Sequence, residues 1–125
     1  MDGTLDLTLR RESRSVAEAR TRVCEAIGPQ LSNGMGETLK LLVSEVVTNA
    51  VRHGGNDGPV ELHASWNSEI RVAVQDHGEG FSPAPRNGGP DESGGFGLYL
   101  VGQLADRWGV ETDGGTTVWF VLRRH

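Results

Sequence analysis

The stretch LLVSEVVTNAVRHGG, residues 41–55, sets a carboxylate, Glu45, four residues before a carboxamide, Asn49. On a helix, side chains at i and i+4 stand one above the other, and Arg52 and His53 carry the same face one turn further. A carboxylate can take a proton from a nucleophile. An amide oxygen is a hard ligand of the kind magnesium takes. Asn49 is the odder of the two, because asparagine is a mediocre helix former and this one lies among Val46, Val47, Ala50 and Val51.

Asp76 breaks a second local rule. Ile70, Val72 and Val74 set a period of two, so position 76 should be another covered apolar side chain, yet it is an aspartate. A carboxylate on a buried strand face costs several kcal/mol, roughly, unless donors meet it. Gly78 and Gly80 follow and would let the backbone approach a flat ligand, although DHGEG also reads as a simple turn. GGFGL, with Gly94, Gly95, Gly97 and Leu98, opens a helix, where unpaired N–H groups and glycine favour a phosphate. It is neither a Walker loop nor a dinucleotide fingerprint. Thr116 and Thr117 open the last strand.

The elements that must carry these residues follow from periodicity. TLDLTLR (4–10) alternates as a half-buried strand. SVAEARTRVCEAI is a helix with Val16, Ala19, Val23 and Ile27 on one face; Ser15 and Glu18 have capping-box spacing, and Gly28-Pro29 stops it. The next helix spans 35–53, with Leu39, Leu42, Val43, Val46, Val47, Ala50 and Val51 as its apolar stripe. VELHASW (60–66) and IRVAVQD (70–76) form a hairpin about NSE. Residues 78–95 are rich in Gly and Pro without periodicity, the mark of a functional loop. FGLYLVGQLADRW (96–108) reads as a helix, and GVET and TTVWFVLRR form a hairpin about Asp113-Gly114-Gly115. The order β-α-α-β-β-loop-α-β-β predicts an α+β two-layer sandwich, a mixed, mostly antiparallel sheet with helices on one face.

The chain's 125 residues suffice for one domain, 1–125, with a real core. Its 18 glycines exceed the usual share of about 7%, and they gather where backbone would meet a ligand. A net charge of −5 argues against binding nucleic acid through its phosphates. No apolar run is long enough for a membrane span, and no signal pattern opens the chain. One cysteine, Cys24, allows no internal disulfide and reads as a small core side chain in a reduced, cytoplasmic protein. His53, His63, His77 and His125 show no ligand spacing, which discounts a metalloprotein.

Taken together, SEVVTNAVRHG, VQDHGEGF, GGFGLYLV and GTTVWF occur in the order of the GHKL ATPases. The chain resembles that family from about Leu5 to Leu122, and within it the bacterial anti-sigma factor serine-protein kinases. The resemblance implies ATP and Mg2+ as cofactors. It implies Glu45 as general base and Asn49 as magnesium ligand, with Arg52 and His53 beside them. It implies Asp76 as acceptor for the adenine amino group, backed by Gly78 and Gly80. Gly94, Gly95, Gly97 and Leu98 would meet the phosphates, and Thr116 or Thr117 the adenine water. Residues 81–94 would form an ATP lid. The implied partners are an antagonist protein with a phospho-accepting serine, a sigma factor held by partner switching, and a second copy in a homodimer, without direct nucleic-acid contact.

The chain departs from the family where a basic residue often stands near the second glycine box: Ser93 and Phe96 occupy that region, and the nearest cation is Arg86. The departure bears on phosphoryl transfer more than on ATP binding. It keeps open a nucleotide-gated binding module with little kinase activity. A third reading is the ATP-binding domain of a larger regulatory or histidine kinase, for which only Leu5 to Ile27 precedes the ATP helix.

Overall fold

The computed structural model describes residues 2–53, 58–76, 98–112 and 115–123. Along these, β1 (Gly3–Leu9), α1 (Arg14–Ile27), a 3-10 turn (Gly28–Gln30), α2 (Asn33–His53), β2 (Val60–Trp66), β3 (Glu69–Asp76), α3 (Leu98–Leu104), β4 (Arg107–Glu111) and β5 (Thr116–Arg123) follow one another. The expected α+β order holds. The strands form one sheet, β1-β2-β3-β5-β4, and every described pairing is antiparallel.

Alternation decides which strand face is covered. On β3, Ile70, Val72, Val74 and Asp76 are buried; on β5, Thr116, Val118, Phe120 and Leu122 are. The register sets these residues directly opposite one another, ending with Asp76 across from Thr116. Leu39, Leu42, Val43, Val46, Val47 and Ala50 of α2, with Ala19, Val23 and Ile27 of α1, complete the core. Ser32 precedes α2 as its N-cap, its hydroxyl accepting the Met35 N–H at 3.3 Å.

Three local expectations are corrected. Ser15 and Glu18 make no capping box: α1 begins at Arg14, and Ser15, inside the first turn, donates its hydroxyl to the Arg10 carbonyl at 2.7 Å. Ser15 is buried, so its hydroxyl takes the nearby acceptor at the strand end. The helix expected to reach Trp108 stops at Leu104, because β5 captures the backbone from Asp106 onward. The Asp106 N–H bonds the Val121 carbonyl at 2.9 Å, and Trp108 pairs with Phe120. Cys24 is half-buried rather than a core side chain, and burial pushes its thiol upward.

Two tryptophans cover glycines across the sheet. Gly3 faces Trp66 and Gly109 faces Trp119 as direct cross-strand partners. A Cβ on Gly109 would come within 2.8 Å of the Trp119 ring, which also carries the Arg71 guanidinium 4.6 Å above its centroid. Gly109→Val therefore displaces a packed indole and a cation–π contact together. It should lower unfolding free energy by about 1–3 kcal/mol, read as a fall in urea midpoint at unchanged slope; an unchanged midpoint would show that Trp119 moves aside freely.

Candidate functional site

α2 presents its apolar stripe to the sheet and leaves Glu45 and Asn49 at the stripe's margin, one turn apart. Asn49 is 8% exposed and Glu45 half-buried. Desolvation disfavours the charged form, so burial pushes the Glu45 carboxyl above its ordinary value. Arg52 continues this face in solvent, and the backbone of His53 closes the helix.

The second half of the site comes from the ends of two central strands. Asp76, at the last position of β3, is 4% exposed, and Thr116, the first residue of β5, 8%. Thr117 pairs with Gln75 and Glu111 and alternates to the opposite sheet face. The register thus brings Thr116, and not Thr117, to the Asp76 face.

Arg11 joins the two halves. It donates through Nη2 to Asp76 Oδ1 at 2.5 Å and through Nη1 to the Ala50 carbonyl at 2.8 Å. Ala50 is the neighbour of Asn49, so the guanidinium ties the end of β3 to the last turn of α2. Both side chains of the ion pair are largely covered, 12% and 5% exposed. Sequence reasoning misses Arg11 because RRES after β1 looks like a solvated turn. A signal is nonetheless present: Leu5, Leu7 and Leu9 set a period of two, and the next inward position is 11. The inner faces of β1 and β3 each run out into a charge, and the two charges are opposite.

Leu98 is the first residue of α3 and packs, half-buried, against the core. Gly78, Gly80, Gly94, Gly95 and Gly97, the proposed lid 81–94, and Arg86, Ser93 and Phe96 lie outside the described residues. Among the described residues no three His, Cys, Asp or Glu side chains converge on a metal position. The amide oxygen of Asn49 fits magnesium that arrives with a nucleotide, because magnesium is commonly held by one or two protein oxygens plus substrate phosphates. No helix among the described residues is long and apolar enough to cross a membrane.

Comparison with known proteins bears on the domain type. The model of the histidine kinase-like ATPase domain matches residues 7–122. A serine-protein kinase RsbW of Bacillus velezensis is 36% identical over 97 residues, covering 66% of this chain and 61% of the relative. The RsbW of Staphylococcus aureus strain MW2 is 31% identical over 98 residues, 66% and 62% of the two chains. A blue-light-activated histidine kinase 2 of Erythrobacter litoralis is 40% identical over 84 residues, 61% of this chain but 23% of that one. The match therefore spans about three-fifths of the RsbW relatives' length. With the family model covering nearly all of the strand and helix order described above, the chain belongs to the family of histidine kinase-like ATPase domains, the GHKL type.

Proposed function

We propose that the chain binds Mg–ATP and works as an anti-sigma factor-like serine-protein kinase of the cytoplasm. It phosphorylates a serine of an antagonist protein and holds a sigma factor by partner switching. One observation carries the reading: the buried Asp76 carboxylate, with Thr116 beside it, is tied through Arg11 to the helix turn that bears Asn49, with Glu45 one turn before. Such an arrangement offers an acceptor for a base at one end, and at the other an oxygen ligand for a phosphate-bound cation with a proton acceptor one turn away.

Within it, Asp76 reads the base and Thr116 supports the water beside it. Asn49 offers its amide oxygen to the cation. Glu45 takes the proton of the acceptor hydroxyl, and the half-buried setting that raises its basicity suits that task. Magnesium, bound with the nucleotide, supplies neutralisation of phosphate charge. The similarity to proteins named as serine-protein kinases supports the reaction class.

The test is incubation with γ-labelled ATP, magnesium and a candidate antagonist carrying the acceptor serine. Label on that serine, lost when it is replaced by alanine, is the expected result. Measurable Mg–ATP binding without any label would instead favour the nucleotide-gated module, for which Ser93 and Phe96 at the second glycine box argue.

A further inference from the structure

Arg11 is held as firmly as it holds others. The turn that presents it is closed by the Glu12 N–H and the Ser15 hydroxyl on the Arg10 carbonyl, at 2.8 and 2.7 Å, and by the Ser15 N–H on the Glu12 carbonyl at 3.0 Å. Its Nε is buried without a partner among the described residues. A buried ion pair rarely adds net stability over an apolar pair of like volume, and an unmet buried donor subtracts from it. What the arrangement does provide is orientation. A guanidinium is a rigid planar fork, and here its two Nη atoms contact two different elements, the end of β3 and the last turn of α2.

We propose that Arg11 is the positioning residue for base recognition, fixing the Asp76 carboxylate relative to α2 so that the site selects a base with an exocyclic amino donor over one with a carbonyl at the same place. The inference rests on the nucleotide-binding reading above. An ionised carboxylate only accepts hydrogen bonds, and it has about four acceptor positions, of which this contact to Arg11 takes one. Holding the group does not prevent it from meeting a base. A site built to pair with an amino group rejects the analogue lacking it, because the buried acceptor is left facing another acceptor. That discrimination depends on angle, and the angle is what the fork sets.

Adenosine and inosine diphosphates, each with magnesium, differ in the 6-amino donor, which inosine replaces by a carbonyl, and in N1, which accepts in adenine and donates in hypoxanthine; they are titrated calorimetrically into the wild-type chain, Arg11→Lys and Arg11→Gln. Lysine keeps the charge opposite Asp76 but replaces the fork by a single flexible donor. It is also the variant whose fold is safest, and it decides the matter if the glutamine variant fails to fold. Arg11→Lys should weaken adenosine diphosphate about tenfold and inosine diphosphate by less than about threefold. In an Asp76→Asn background, Arg11→Lys should leave the ratio unchanged. Equal losses for both nucleotides, or an unaltered ratio in the lysine variant, would overturn the positioning role and leave the nucleotide site standing. Failure of the wild-type chain to bind either nucleotide would overturn the site reading itself, and this inference with it.

Discussion

Asp76→Asn should weaken Mg–ATP binding by about a hundredfold or more. The substitution replaces an acceptor by a group that can turn its NH2 toward the base amino group, so a charge-assisted bond worth about 1.5–3 kcal/mol becomes a donor–donor conflict. It also leaves Arg11, 12% exposed, without the carboxylate it donates to. Breaking one side of a buried pair costs about 3–5 kcal/mol, so binding must be read at a temperature where circular dichroism shows the variant folded. Two controls separate the effects. Thr8→Ala, on an exposed position of β1, should leave both stability and affinity unchanged. Arg11→Gln in the Asp76→Asn background replaces the stranded buried cation by a neutral side chain, so it should recover part of the lost stability without recovering affinity. Calorimetric affinity unchanged by Asp76→Asn would show that the base is read elsewhere.

Where the sequence speaks clearly, the reason is that the core enforces period on it. Val60, Leu62 and Ala64, then Ile70, Val72 and Val74, are buried as their alternation requires, and the same strictness exposes Asp76 as an intruder. The α2 stripe is equally legible, and Asn49, at its margin, is as buried as its neighbours make it look. Pattern fails where two patterns overlap. Leu98, Val101, Leu104 and Ala105 continue a helical spacing up to the point where β5 offers backbone partners, and the pairing of Asp106, Arg107 and Trp108 with β5 decides the outcome. The choice between Thr116 and Thr117 needs register, which no local window contains. Arg11 needs both: its inward position follows from the β1 period, but its partner lies 65 residues away in sequence.

Glu45→Gln should separate the two halves of the site in the opposite sense, keeping nucleotide affinity within about threefold while reducing phosphoryl transfer by about 10²–10⁴-fold, the range of a lost general base. The amide preserves size and can still approach a cation, but it cannot take the hydroxyl proton. The pH dependence comes from burial, which raises the Glu45 carboxyl above 4.5. Wild-type transfer should therefore rise with pH through that raised value, and the residual transfer of Glu45→Gln should lack this acid limb. Stability moves the other way. A raised folded-state value means that the folded chain favours the protonated form, a contribution complete below about 4.5 and lost as pH rises through the folded value. At neutral pH the half-buried charge is a small liability, so Glu45→Gln should leave the urea midpoint unchanged or slightly raised, in contrast to the fall expected for Asp76→Asn. Transfer retained in Glu45→Gln at wild-type rates, with its acid limb intact, would assign the proton to another group. Loss of binding in step with transfer would place Glu45 among the groups that hold the nucleotide.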